Sequence, residues 1–161
     1  MNKIIIIGCP GAGKSTFSRE LQKKTKLPLF HLDMLFWNED KTHVAREVFD
    51  KKLSDILIQS HWIVDGNYGR TLERRLKVCD TVFLFDLAVD DCLSGVKARI
   101  GKPRDDMSWI EQELDEEFKN WIIDFPKNEL PNIYSLLKKY SDINVVIFKS
   151  RQQINDYLDN F

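Results

Sequence analysis

The chain has 161 residues, with 24 Lys and Arg against 25 Asp and Glu for a formal charge of −1. That length predicts one domain, 1–161, and the balanced charge argues against direct nucleic-acid binding through a general basic field. Apolar residues make up 43%, with only 7 Gly and 5 Pro, a mix that closes a core rather than forming a linker.

Lys3 to Ile7 is an apolar run bounded by glycine, which reads as a buried parallel strand. A helix from Lys14 to about Thr25 follows, then a strand over Leu29 to Leu32 and an amphipathic helix over roughly 44–60. Trp62 to Val64 reads as a third strand, 71–78 as a short helix, Thr81 to Phe85 as a fourth strand and 89–100 as a helix. Ser108 with Glu111 predicts a capping box opening a helix to Phe125, which Pro126 interrupts before a further helix carrying Leu130, Ile133, Leu137 and Tyr140. Asn144 to Phe148 is the fifth strand, and Ser150 with Gln153 offers a capping box for the last helix.

Strands that alternate with helices predict an α/β fold with a parallel sheet, covered by helices on both faces, whose ligands bind at the carboxyl ends of the strands. The longest aliphatic run, Ile4 to Ile7, is far short of the roughly 20 residues that span a bilayer. No signal peptide and no membrane association are expected. Three cysteines without a CxxC spacing predict reduced thiols in a cytoplasmic protein, and the three histidines share no metal-ligand spacing.

Gly8-Cys9-Pro10-Gly11-Ala12-Gly13-Lys14-Ser15 fits G-x-x-x-x-G-K-[ST] between a strand and a helix. The glycines let the backbone turn its N–H groups onto phosphate oxygens, and the helix beginning near Lys14 adds its positive dipole end. The Lys14 ammonium reaches toward the β- and γ-phosphates, and the Ser15 hydroxyl suits Mg²⁺, which takes oxygen ligands. Residues 8–15 with Thr16 are therefore expected to bind ATP. Asp65 ends an apolar strand and is expected to face the ion beside the phosphate loop. Asp86 ends another strand and competes for that role, but Gly66 and a polar stretch after Asp65 favour Asp65.

At these motifs the chain resembles the adenylate-kinase-like branch of P-loop kinases, with Val64-Asp65-Gly66 similar to that family's Leu-Asp-Gly stretch. It also resembles small bacterial proteins of the DNA topology modulation, or FlaR-like, family. That resemblance is carried by His31-Leu32-Asp33 with Trp37, by Trp62 to Tyr68, by Thr71-Leu72 with Arg75-Leu76, and by Trp121-Ile122 with Phe125-Pro126. The resemblance implies a three-layer fold with a five-stranded sheet of order 2-3-1-4-5, a mobile lid and phosphoryl transfer from ATP. Two positions depart from adenylate kinases. Gly69 stands where they carry an arginine, with Arg70 one later, and Gly95 replaces the first arginine of the helix leading to the lid, while Arg99 occupies the second. With that arginine set incomplete, the resemblance does not extend to adenylate kinase activity itself.

Asp33, just past the second strand, is where small-molecule kinases of this fold place an acid that grips or deprotonates an acceptor hydroxyl. His31, two residues earlier, shares its face of the strand, although a capped turn and a satisfied core histidine would explain both. Arg70, Arg74 and Arg75, with Asn67, form an anion clamp for the acceptor or a solvated helix face, with Arg75 favoured as part of the subfamily pattern. The basic run Lys97, Arg99, Lys102 and Arg104 suggests a lid over about 99–125, Arg99 placing charge on the transferring phosphoryl. Arg151 follows the last strand, where this family holds the adenine ring.

The resulting expectation is a P-loop kinase that uses ATP and Mg²⁺ and phosphorylates a nucleoside, a nucleotide or another small hydroxyl compound. Its alternative is a nucleotide-binding regulator of DNA topology with slow ATP hydrolysis.

Overall fold

The computed structural model covers residues 1–161. Five strands form one parallel sheet: β1 (Lys3–Gly8), β2 (Leu29–His31), β3 (Trp62–Asp65), β4 (Thr81–Phe85) and β5 (Asn144–Phe148). Their order is β2-β3-β1-β4-β5, as the resemblance implies. Ile4, Ile5, Ile6 and Ile7 are each 0% exposed. Successive side chains of a strand point to opposite faces, so both faces of β1 are covered. The same holds for β4, where Val82 to Phe85 are fully buried, whereas β5 at the sheet edge keeps Asn144 and Ile147 exposed.

Helices α1 (Lys14–Thr25), α2 (Leu32–Phe36), α3 (Arg46–Leu57), α4 (Gly69–Leu76), α5 (Val89–Arg99), α6 (Glu116–Asn128), α7 (Leu130–Lys139) and α8 (Arg151–Asp159) surround the sheet. Phe17 anchors α1, meeting Phe83, Phe85 and Phe148 edge-on at ring separations of 4.9, 5.4 and 5.4 Å. Truncating such a buried ring costs about 3–5 kcal/mol, so the start of α1 is firmly fixed to the sheet. Register then aligns the strand ends: Asp65 stands opposite both Ile6 and His31. The phosphate-loop motif, Asp33 and Asp65 therefore share one edge of the sheet.

Three boundaries differ from the sequence expectation. Leu32 begins the five-residue α2 instead of ending β2. The helix expected from Ser108 begins only at Glu116, where Asp115 accepts from the Glu117 amide. The expected cap is spent elsewhere, since Ser108 Oγ donates to the Trp37 carbonyl and Glu111 pairs with Arg104. Long-range bonds thus outbid a local cap, and residues 100–115 carry no helix or strand. Finally, Pro126 lies inside α6, which runs on to Asn128. The break falls at Glu129, and Pro131 sits in the first turn of α7, where a missing N–H costs nothing. The capping box at Ser150 forms, its hydroxyl accepting from the Gln153 amide at 3.2 Å.

Candidate active site

A cavity of about 1690 Å³ opens at the carboxyl edge of the sheet. Gly11, Gly13, Lys14 and Ser15 line one end, while Asp33, Trp37, Tyr68 and Arg70 line the other. Arg99, Arg104 and Asp106 roof it from α5 and the 100–115 segment.

At the first end, α1 starts with Gly13 as its N-cap and no side-chain cap. The amides of Gly13, Lys14, Ser15 and Thr16 find no acceptor within the chain. A helix end with unspent donors and a positive dipole is a ready anion site. Lys14 Nζ donates to the carbonyls of Gly8 and Cys9, at 2.9 Å each. Burial lowers its pKa, while Asp65 and Cys9 oppose that shift. An ammonium parked on two carbonyls of its own loop is poised to move onto phosphate. Gly11 and Gly95 meet backbone to backbone: a Cβ on Gly95 would strike the Gly11 carbonyl, and one on Gly11 would strike that of Cys92. The arginine that adenylate kinases carry at the Gly95 position has no room here. Arg151 instead reaches in from α8 and donates to the carbonyls of Gly11 (3.1 Å) and Asp91 (3.0 Å).

Asp65 is 5% exposed and is tied on two sides. Its Oδ2 accepts from Ser18 Oγ at 2.7 Å and lies 2.9 Å from His31 Nδ1. The ring nitrogen facing a carboxylate is the one that carries the proton. Burial disfavours the charged ring, but the hydrogen bond and charge of Asp65 win and raise the His31 pKa. His31 thus braces Asp65 and is not among the residues that line the cavity, which corrects its expected place at the acceptor. Asp86, the rival acid, is held by Tyr134 (2.5 Å) and Lys149 and also does not line the cavity.

The loop after β3 is organised by Arg75. The expectation of an anion clamp there is corrected: the side chain is fully buried and donates to the carbonyls of Gly66 (3.0 Å), Asn67 and Tyr68. Burial pulls its pKa down to about 10, which still leaves it charged near neutral pH. The loop it grips faces two ways. Asn67 exchanges two hydrogen bonds with Gly8, donating to its carbonyl at 2.8 Å and accepting from its amide at 2.9 Å. Tyr68, in a left-handed conformation (φ 39°), donates from its hydroxyl to Asp33 Oδ1 at 2.5 Å. Asn67 is therefore a strut of the phosphate loop as well as a cavity wall. Burial raises the Asp33 pKa against the lowering effect of Tyr68, with Asp106 and Asp65 adding to the rise. Arg70 lines the cavity but pairs with Asp50 through both of its terminal nitrogens, at 2.7 and 3.2 Å.

The roof holds a charge network that sequence reasoning passed over. Arg104 grips Asp106 with Nε (3.0 Å) and Nη2 (2.6 Å) and reaches Glu111 at 3.3 Å. Asp106 in turn accepts from Ser15 Oγ at 2.5 Å. Burial works against its charge, yet Arg104, Ser15 and His31 together bring its pKa down to about 2. Arg99 Nε is buried and faces Glu111 Oε2 at 3.7 Å, an ion pair without a hydrogen bond. Asp106 follows a basic run by two residues, a faint signal in one dimension.

The donor set fits a polyphosphate with a hard cation. The open amides and Lys14 suit phosphate, and Ser15, Asp65 and Asp106 supply the oxygen chemistry that Mg²⁺ takes. No group of three or more His, Cys, Asp or Glu side chains could hold a metal by itself.

No family model matches the chain. Over 88 residues it is 28% identical to adenylate kinase of Thermotoga neapolitana, a match covering 53% of this chain and 39% of that protein. The adenylate kinases of Thermotoga petrophila and Thermotoga maritima match at the same identity and coverage. The chain thus spans about two fifths (39%) of the length of the curated relatives it matches. Among solved structures, a crystal structure of shikimate kinase from Bacteroides thetaiotaomicron superposes with a TM-score of 0.57 at 16% identity, covering 98% of this chain and 94% of that one. The two chains share the fold, which here is the five-stranded parallel sheet of order β2-β3-β1-β4-β5 with helices around it. No helix is long and apolar enough to cross a membrane.

Proposed function

We propose that the protein is an ATP-dependent phosphotransferase acting on a small hydroxyl-bearing acceptor. The observation that carries this reading is one cavity lined both by unspent helix-start amides with Lys14 and by a half-buried carboxylate, Asp33. The similarity to adenylate kinases supports the nucleotide end, and the cavity volume of about 1690 Å³ supports a second ligand beside it. That second space favours the kinase over a regulator that only binds and slowly hydrolyses ATP. A role in DNA topology has no structural observation behind it.

When bound, ATP with Mg²⁺ supplies the phosphoryl group and draws negative charge from its oxygens. Gly13, Lys14, Ser15 and Thr16 would bind the phosphates through their amides, and the Lys14 ammonium would leave its carbonyl partners for phosphate oxygens. Ser15 and Asp65 would hold the ion, Asp65 kept in place by Ser18 and His31. Arg99, which lines the cavity beside Glu111, would meet charge on the transferring group with its guanidinium. Residues 100–115 would form the lid, shorter than the sequence expectation because Arg99 belongs to α5 and α6 packs against α7. Arg151 would border the adenine, pinned to the loop at Gly11.

Asp33 would take the acceptor's proton as its oxygen attacks the γ-phosphorus and the bond to the ADP oxygen breaks. Its raised pKa brings it nearer the working pH, where a general base is most effective. The aromatic walls Trp37, Tyr68 and Trp109, with Arg70 at the rim, would border the acceptor. Titration calorimetry with ATP and Mg²⁺, followed by ADP release across a panel of nucleosides, nucleotides and sugars, tests the reading. One compound should stimulate ADP release at least tenfold. A folded protein that gives no heat with ATP would overturn it.

A further inference from the structure

We infer that Asp106 is a direct ligand of the nucleotide's magnesium ion, delivered to it by the 100–115 segment. The inference rests on the nucleotide reading above and concerns which acid completes that site.

The partners of the carboxylates at the carboxyl edge of the sheet separate them: Asp105 faces Arg19 and Glu111 pairs with Arg104. Asp86 is bound to Tyr134 and Lys149 and does not line the cavity. Asp33 faces Tyr68 at the acceptor end. Asp65, the strand-end acid, commits Oδ2 to Ser18 and His31. Asp106 alone touches Ser15, the hydroxyl that the phosphate loop offers to the ion, at 2.5 Å.

The geometry suits a shared ion. Ligands held at about 2.0–2.1 Å in an octahedron place neighbouring oxygens about 2.9 Å apart. Ser15 Oγ and Asp106 Oδ2 need part only slightly from 2.5 Å to admit a cation between them. Arg104 holds both oxygens of the carboxylate, Nε on Oδ1 at 3.0 Å and Nη2 on Oδ2 at 2.6 Å, and Oδ2 is the oxygen that also accepts from Ser15, so the carboxylate is fixed beside that hydroxyl. The side chain is buried with the residue 5% exposed, and a buried carboxylate persists only where such partners compensate for lost water. Because the chain has no cluster of three metal-binding side chains, the ligands beyond Ser15, Asp65 and Asp106 would have to come from phosphate and water. Ion, nucleotide and segment would then assemble together. Withdrawing residues 100–115 would remove one ligand and weaken the hold on all the others.

Calorimetry of ATP binding with Mg²⁺ and with EDTA tests this on the full chain. In the wild type, Mg²⁺ should tighten ATP binding. Asp106→Asn should lose at least tenfold of that enhancement while binding ATP in EDTA no more weakly than the wild type. Asp106→Cys should shift the metal preference for ATP binding at least tenfold from Mg²⁺ toward Cd²⁺, since a thiolate is a soft ligand. A lost cap or a loosened segment would not change which metal is preferred. Full Mg²⁺ enhancement in Asp106→Asn, or an unshifted preference in Asp106→Cys, overturns the assignment. A wild type that binds no ATP in either buffer overturns the nucleotide reading itself, a result distinct from both.

Discussion

At the phosphate end of the cavity, the consecutive residues 8–16 present mainly backbone, and their shape follows from glycines and a helix start. At the acceptor end and the roof, the working groups come from α4, the loop after β3, α2 and the 100–115 segment, and side chains hold them to one another. A backbone site is specified by a contiguous motif and tolerates changes elsewhere. A site made of side-chain relays is specified by partners far apart in the chain, and each relay is a point of failure.

Several variants would break or sharpen that contrast. Lys14→Ala should act at the first end alone, cutting ATP-dependent turnover by about a thousandfold while leaving the melting temperature nearly unchanged. Near-normal turnover would remove Lys14 from the phosphate site. Asp33→Asn should lower acceptor-dependent turnover by about a hundredfold and basal ATP hydrolysis far less. Equal loss of both would mean that the two ends do not act separately.

Arg75→Met tests the relay itself. It strands the Gly66 and Asn67 carbonyls, while that of Tyr68 keeps its bonds from Thr71, and denaturant titration should show a loss of about 3 kcal/mol. Because the loop carries both Asn67 and Tyr68, ATP affinity and acceptor turnover should fall together, unlike the selective loss in Asp33→Asn. Tyr68→Phe removes a hydrogen bond that lowers the Asp33 pKa. The acidic limb of the rate profile should therefore move to higher pH, by an amount that rate measurements over a pH series would read.

The His31–Asp65 pair predicts a modest pH dependence of stability. The folded pKa of His31 is raised, so the stability it adds is fully present below the ordinary histidine value, about 6.5. It is lost as pH rises through the folded value, and His31→Gln should flatten urea-unfolding free energies across that range. The smallest effect is expected at Arg70→Ala, whose exposed pair with Asp50 contributes under roughly 1 kcal/mol.

The same contrast decides what could be read in one dimension. The sheet was legible because five apolar runs with helices between them leave few topologies, and the phosphate loop because its residues are adjacent. Asp65 and Asp33 were reachable as acids at strand ends. Arg75 was singled out for the wrong contact, since nothing local says that its guanidinium turns inward onto carbonyls. His31 was placed on the correct strand, but its attachment to Asp65 depends on the register of β2 against β3. Ser108 and Glu111 have the local pattern of a cap, and only the distant partners Trp37 and Arg104 explain why no helix starts there. Asp106 is an unremarkable acid until folding brings it to Ser15.

The close seating of Gly95 on Gly11 has a mechanical consequence. A methyl group at 95 would act as a wedge between α5 and the phosphate loop, so the two backbones sit as close together as glycine allows. A swing of the roof would then pivot most easily beyond Arg99, at Gly101, whose backbone has φ 75° and open space around its Cα. Arg99 then stays with the stationary half while Arg104 and Asp106 travel, so the two arginines belong to different moving parts despite lying five residues apart.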